Sequence, residues 1–249
     1  MEKKKLFVSG CCGRMGSMVC KLAKDSEFFE LVGGYDISDK SPDNFKVYNS
    51  LQNGNLSEVD IFVDFSSPAG ALDLLKLAQE ANKPAVIATT GFAPHEEDFI
   101  RFYAKRIPIF YSANMSYEVL VIRKALQLVA PLLAHDDIEI SETHHSRKKD
   151  CPSGTAKLLF NTINDSLGGS KTMIYGREGK RENNEIGIAS LRGGNVPGTH
   201  SIHFFGENED LTITHQVYSP IIFAEGALKA AEFLVNQPAG LYSMDDLVK

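Results

Sequence analysis

Seven residues near the N-terminus constrain this chain more than any others. They are Gly10-Cys11-Cys12-Gly13-Arg14-Met15-Gly16, a glycine-spaced loop set between an apolar run and a helical pattern. Such a loop suits a sharp strand-to-helix reversal. Gly10 supplies the tight turn, Gly13 lets backbone N–H groups approach a pyrophosphate, and Gly16 lets the helix pack close to the strand. The helix N-terminus adds partial positive charge for the phosphates. The spacing is GxxGxxG rather than GxGxxG, so context has to support the reading. Asp36 provides it: this acid ends the next apolar run, 20 residues after Gly16, where it can accept ribose hydroxyls.

The chain on either side of the loop reads as a parallel sheet with crossover helices. Residues 6–9, 31–35, 61–65, 85–88 and 107–111 have strand character, and 15–24, 69–81 and 96–105 have helical spacing between them. Leu72, Leu75 and Ala78 share one stripe of the second helix, which Pro68 opens and Ser66 or Ser67 caps. Pro84 and Pro108 each open a strand, where a missing N–H is least costly. Repeated βα order makes a Rossmann-type, doubly wound parallel sheet the economical α/β solution.

Beyond about residue 112 the pattern changes. A long apolar helix at 117–133, capped by Ser116, precedes a period-two strand at 137–145 and a helix at 153–167 ended by Gly168-Gly169. Strands at 186–192, 200–206 and 211–218 follow, then a helix at 224–235. Strands without regular crossovers indicate a second, α+β domain on a mixed or antiparallel sheet. The expected division is 1–112, completed by the C-terminal segment 220–249, and 113–219.

Composition narrows the classes. With 43% hydrophobic and 23% charged residues the chain is an ordinary globular one. A net charge of −6 argues against a protein built to coat nucleic acid, and no apolar run approaches the ~20 residues of a membrane span. The basic start Lys3-Lys4-Lys5 reaches too short an apolar run for a secretory leader. Cys11, Cys12, Cys20 and Cys151 make no CxxC pair and no zinc spacing, which reads as reduced thiols in a cytoplasmic protein.

The densest chemistry lies in Glu142-Thr143-His144-His145-Ser146-Arg147-Lys148-Lys149-Asp150-Cys151-Pro152-Ser153-Gly154-Thr155-Ala156. Two histidines end a strand, three cations follow, and a small-residue helix start closes the run. In an acidic chain this excess of cations indicates an anionic ligand. Backbone N–H groups at a helix start suit a carboxylate or phosphate, and a histidine can donate a proton near neutral pH. Histidine pairs at strand ends and Arg-Lys-Lys loops also occur as purely structural or solvated features, so spacing alone leaves the role open. No third ligand of suitable spacing accompanies His144 and His145, and no metal is expected.

These residues resemble the dihydrodipicolinate reductase (4-hydroxy-tetrahydrodipicolinate reductase) family, whose signature E-x-H-H-x-x-K-x-D-x-P-S-G-T-A runs here from Glu142 to Ala156. Asp64-Phe65-Ser66, Thr89-Thr90-Gly91-Phe92, Ser112-Ala113-Asn114-Met115-Ser116, Leu191-Arg192-Gly193-Gly194, Leu211-Thr212-Ile213-Thr214-His215 and Phe223-Ala224-Glu225-Gly226-Ala227 extend the resemblance over nearly the whole chain. It implies NAD(P)H-dependent reduction of 4-hydroxy-tetrahydrodipicolinate to tetrahydrodipicolinate in diaminopimelate–lysine biosynthesis. By similarity, Gly10, Cys11, Cys12, Gly13, Arg14 and Met15 cradle the dinucleotide and Asp36 binds the adenosine ribose. Ala88, Thr89, Thr90, Ser112, Ala113, Asn114 and Met115 line the nicotinamide side. His144 matches the proton donor and Lys148 the catalytic cation, while His145, Gly154 and Thr155 match contacts to the carboxylates of the cyclic substrate. The second domain would bind substrate and assemble a homotetramer.

Three departures stand out: Ala88 where the family often has Gly, Ser219-Pro220 where it usually has Ser-Arg, and Ile37 where some members carry an Arg for a 2′-phosphate. With Asp39 adding a second negative charge, NADH is the expected preference over NADPH, tempered by Lys40 and Arg14. A different two-domain nicotinamide enzyme, of the aspartate dehydrogenase kind, would keep the glycine loop without needing the histidine–lysine run. A nucleotide-sensing module without catalysis would not need His144 and Lys148 intact.

Overall fold

The computed structural model describes residues 2–38, 45–51 and 56–248. Asp39 and Lys40, invoked above for coenzyme choice, lie outside the described residues. The chain divides into two compact units, residues 1–116 with 221–249, and residues 117–220.

The first unit opens with β1 (Lys4–Ser9), α1 (Arg14–Lys24), β2 (Phe29–Tyr35), β3 (Val47–Tyr48), β4 (Ile61–Asp64), α2 (Pro68–Glu80), β5 (Ala85–Ile87), α3 (Pro94–Ala104) and β6 (Pro108–Tyr111). The second unit contains α4 (Tyr117–Leu132), β7 (Asp137–His144), α5 (Gly154–Ser166), β8 (Thr172–Tyr175), β9 (Glu185–Arg192), β10 (Gly198–Phe205) and β11 (Asp210–Val217). The chain then returns to the first unit as α6 (Ile221–Leu234) and β12 (Gly240–Tyr242).

All seven strands of the first sheet run parallel, in the order β12-β6-β5-β4-β1-β2-β3. Strand order reverses between β1 and β4, and crevices at such a reversal are where doubly wound sheets take ligands. The strands are buried on both faces, Leu6 to Val8 and Ile61 to Val63 being almost wholly inaccessible, as a sheet with helices on both sides requires. On α2 the buried stripe is Ala71, Leu74, Leu75 and Ala78; Leu75 and Ala78 fall where the spacing predicts, while Leu72 is partly buried and packs against the same core. Ser67 is the cap, accepting the Gly70 N–H. Small residues let α6 lie close: a Cβ at Gly226 would stand 1.6 Å from the Met115 carbonyl oxygen.

The second sheet is mixed, ordered β11-β10-β7-β9-β8, with β10 antiparallel to its neighbours and the β7–β9–β8 pairs parallel. Ile138 and Ile140 of β7 join Ile186, Ile188, Ile202 and Phe204 against Leu126, Ala130, Leu159 and Ile163 of α4 and α5. The two-residue and three-residue strands β3 and β12, and the four-residue β8, carry no signal in the sequence. All three are edge strands, and they lack the continuous apolar run that marks the equally short β4, β5 and β6 in the sheet interior.

Candidate active site

In the first unit, the glycine loop leaves the carboxyl end of β1. Gly10 has φ +73°, and a Cβ there would stand 2.4 Å from the Phe65 carbonyl oxygen. At Gly16 a Cβ would stand 2.0 Å from the Gly10 carbonyl oxygen, so two glycines interlock strand, turn and helix. Gly13 is the N-cap of α1 and offers no side chain to its first turn, which leaves that end open to an anion. Cys11 is buried beneath the loop, where burial pushes its thiol up, and Cys12 is half-buried. Arg14 is exposed and Met15 half-buried.

Asp36 serves this loop as well as any ligand. Its two carboxylate oxygens accept the Cys12 N–H (2.9 Å) and the Ser38 N–H (3.0 Å), tying the β2 turn to the glycine loop. Gly34 is a glycine that no sequence pattern singles out; a Cβ there would stand 2.7 Å from the Cys11 sulfur. Ile37, next to Asp36 in the chain, is 89% exposed.

The remaining coenzyme candidates follow the carboxyl ends of β4, β5 and β6, on the same edge of the sheet as the glycine loop. Asp64 is fully buried there; burial pushes its carboxyl up, against hydrogen bonds from Ser66, Thr89 and Ser9. The Thr89 hydroxyl donates to Asp64 and accepts the Ser66 N–H at 2.9 Å. Ala88 needs no glycine, because Asn82 is the only non-glycine with positive φ among the described residues. Thr90 is exposed. In the Ser112–Met115 loop the Ser112 hydroxyl donates to the Asn114 carbonyl (2.7 Å), and Asn114 Oδ1 accepts the Ser116 N–H (2.9 Å). Ala113 is exposed and Met115 buried.

In the second unit, period two on β7 places Ile138, Ile140, Glu142 and His144 on one face, so the apolar core runs directly into an acid and an imidazole. Register then builds the site. Glu142 pairs with His200 on β10 and Ser190 on β9, and His144 pairs with Arg192. The Glu142 carboxylate is only 1% exposed, and its Oε1 accepts from Ser153 N–H (3.0 Å), Ser190 Oγ (2.6 Å) and Arg192 Nη2 (2.9 Å). Its Oε2 faces His144 Nδ1 at 3.1 Å and His200 Nε2 at 3.6 Å. Burial alone would raise this carboxyl; contacts with His144, His200, Ser153 and Ser190 reverse that and hold it below the usual carboxylate range. For His200, burial is the stronger influence and pushes the imidazole down.

Ser153 caps α5, its hydroxyl accepting the Ala156 N–H at 3.1 Å while lying 2.9 Å from His200 Nε2. Gly154 and half-buried Thr155 form the first turn, Gly154 exposed, and nothing lies within 4 Å of where a Gly154 Cβ would be. Lys148 reaches Asp150 at 2.8 Å; burial works to raise the Asp150 carboxyl, and Lys148 outweighs it. His145 is half-buried on the same loop, and Arg147 bonds Asn195 instead of facing the histidines.

Spacing along the chain offers no third ligand beside His144 and His145, but the fold brings distant residues to His144. Glu142, His144 and His200 bring three ligand atoms within 4.8 Å of one another. Arg192 already neutralises that carboxylate, which makes the cluster an acid–imidazole network with its own cation. His200, Ser190, Arg192 and Gly198 are site residues missed in the sequence; Arg192 sat inside a matched segment without a role.

A Cβ tests the Gly154 turn. Gly154→Ala meets open space and removes backbone freedom from a helix start, so Tm should hold or rise slightly. If the turn receives a carboxylate, the added methyl intrudes on it, and substrate KM should rise by roughly 10-fold, about 1.4 kcal/mol. An unchanged KM would reduce Gly154 to an ordinary helix start.

Comparison with known proteins agrees over the whole chain. The dihydrodipicolinate reductase N-terminus matches residues 4–115 and the dihydrodipicolinate reductase C-terminus matches residues 118–248. The 4-hydroxy-tetrahydrodipicolinate reductase of Caldanaerobacter subterraneus subsp. tengcongensis is 44% identical over 248 residues, covering 98% of each chain. That of Clostridium tetani is 41% identical over 244 residues, covering 97% of this chain and 95% of its own. Among solved structures, the dipicolinate-bound dihydrodipicolinate reductase from Paenisporosarcina sp. TG-14 superposes with a TM-score of 0.80 at 24% identity, covering 99% of this chain and 100% of that one. The DAP dehydrogenase of C. glutamicum gives 0.61 at 11% identity, covering 99% and 94%. The last two likenesses speak for the fold.

Proposed function

We propose, since the chain belongs to the dihydrodipicolinate reductase family, that it reduces 4-hydroxy-tetrahydrodipicolinate to tetrahydrodipicolinate with NADH or NADPH, in the diaminopimelate route to lysine. It is a pyridine-nucleotide-dependent reductase. The observation that carries the reading is 44% identity along 98% of both chains, because the fold itself is shared with dehydrogenases of other substrates. An assay with enzymatically generated substrate and NADH tests it: prompt, substrate-dependent oxidation of the coenzyme is expected, and none would sink the reading.

The glycine loop fits a dinucleotide because Gly10 and Gly16 let the turn and helix close tightly on β1, while the Gly13 N-cap leaves the first turn of α1 without a side-chain cap and open to a phosphate. When bound, the reduced nicotinamide supplies a hydride for C4 of the unsaturated ring formed by loss of water. The residues of this chain then have three tasks. Gly10 to Met15 and Asp36 hold the dinucleotide, with Ala88, Thr89, Thr90 and Ser112 to Met115 toward its nicotinamide end. His145, Lys148 and the N–H groups of Gly154 and Thr155 hold the ring carboxylates; dipicolinate bound to the Paenisporosarcina enzyme supports a small cyclic dicarboxylate. His144 delivers the proton to C3.

Lys148 has three ammonium protons, so it can keep Asp150 and still take a substrate carboxylate. Lys148→Ala should therefore raise KM and lower kcat together, each by roughly 10-fold or more, since the charge acts in ground and transition states alike. Unchanged kinetics would leave Lys148 a solvated loop residue paired with Asp150.

The preferred coenzyme in this reading is NADH, because a 2′-phosphate would set two negative charges beside Asp36. Asp36 also ties the loop through Cys12 and Ser38, so Asp36→Ala should weaken both coenzymes while narrowing the gap between them. Steady-state titrations decide it, and a clear NADPH preference in the wild type would count against Asp36. The assembly we propose is a homotetramer through the second unit, in the cytoplasm. Its support is the sheet face opposite α4 and α5, which carries linked polar side chains such as Ser141 with His203 (3.0 Å) and Ser201 with Thr214 (2.9 Å). Among the described residues, no helix is long and apolar enough to cross a membrane.

A further inference from the structure

We propose that Glu142 positions the proton donor, fixing the His144 ring with Nδ1 toward its buried carboxylate so that Nε2 is the atom that transfers the proton, past Gly198. The inference rests on the reading of His144 as the acid and adds which residue holds it and which nitrogen reacts.

Two buried atoms make the case. Glu142 Oε2 and His144 Nδ1 have no aligned hydrogen-bond partner among the described residues, and they face one another at 3.1 Å. A small rotation of the ring closes that contact, as catalytic hydrogen bonds often tighten only when substrate binds. The other candidate for Oε2 is His200 Nε2. It stands farther away, at 3.6 Å, and is engaged by Ser153 Oγ at 2.9 Å. Oε1 is taken by Ser153, Ser190 and Arg192, so the carboxylate cannot turn without breaking three bonds. A carboxylate clamped on one oxygen presents the other in a set direction.

The far side of the ring is defined by a glycine. Gly198 begins β10, one step beyond the Thr199–Thr143 pair, and a Cβ on it would stand 3.0 Å from His144 Nε2. Its φ is not positive, so the backbone there does not itself require glycine. The missing side chain leaves room at the nitrogen that Glu142 does not hold. With Nδ1–H donating to Oε2, a ring that carries a second proton carries it on Nε2, and that proton is the one to leave. The neighbouring carboxylate then stabilises the charged ring that precedes transfer, in the way an orienting acid supports a general acid–base histidine.

The test combines kinetics with a readout independent of turnover. In the whole protein, ¹⁵N-histidine NMR with His144 assigned through His144→Gln should show the neutral ring protonated on Nδ1 and bare on Nε2. Glu142→Gln should lower kcat at least 10-fold, with KM changed less than threefold and NADH affinity, read by coenzyme fluorescence, within twofold. Glu142→Asp, which keeps the charge, should recover part of the loss. Gly198→Ala should also lower kcat while leaving NADH affinity alone, and it serves as the kinetic test if Glu142→Gln does not fold. A His144 ring protonated on Nε2 in its neutral form would overturn the proposal. So would wild-type kcat in Glu142→Gln, or in Gly198→Ala where the former does not fold. A wild-type protein that binds NADH but reduces no substrate would sink the functional reading instead, leaving the NMR result to stand alone.

Discussion

Replacing His144 by Gln should lower kcat by roughly 10²–10⁴-fold, the range of one positioned proton transfer. Coenzyme affinity should stay within about twofold, because His144 is not among the residues proposed to hold the dinucleotide. A glutamine amide can still reach the Glu142 carboxylate, so the buried acid keeps a donor, but it has no proton to give at neutral pH. Measuring kcat, KM and NADH affinity on one preparation separates loss of the acid from loss of folding. A variant within a fewfold of wild type would remove His144 from the reaction and turn attention to Lys148.

The second large effect concerns the glycine loop. Gly16→Ala sets a Cβ 2.0 Å from the Gly10 carbonyl oxygen and 2.7 Å from its carbon, with Cys11 Cα at 3.0 Å. Every one of those atoms is backbone, so no side chain can move aside. The helix start must shift away from β1, and the N–H groups proposed to hold a pyrophosphate shift with it. Coenzyme affinity should fall at least 10-fold, with destabilisation of about 2–3 kcal/mol and a Tm lower by roughly 5–10 °C. Calorimetry and coenzyme fluorescence read the two losses together. A variant that keeps wild-type affinity would mean that the loop does not hold the dinucleotide. The contrast with Gly154→Ala, where a Cβ meets nothing within 4 Å, is built into one chain: packing requires one glycine and leaves the other free to take a side chain.

How far residues alone could be read depends on whether their message was local. The glycine loop, Asp36 at the end of β2 and the Ser153 cap of α5 are local patterns, because a turn, a strand end and a helix start each depend on a few neighbours. The alternation of β7 was equally local. It put Glu142 on the same parity as Ile138 and Ile140, and a charged residue on an apolar face is a sign of burial that the residue pattern carries by itself.

What supports Glu142 was not local. His200, Ser190 and Arg192 reach it only through the registers of β10 and β9 on either side of β7, and no period or spacing within one strand encodes the register of another. The same holds for Gly34 under Cys11, for Gly226 against Met115, and for the strands β3, β8 and β12, which exist by pairing with an edge. The sequence by itself therefore determined the βα alternation of the first unit, the glycine-spaced turn and the identity of the acid–histidine–lysine segment, since each is written in residues close along the chain. Tertiary structure alone decided which side chains surround the buried carboxylate, which of its oxygens faces His144 and that a glycine, Gly198, stands opposite that ring, because those depend on distances between residues up to 58 positions apart.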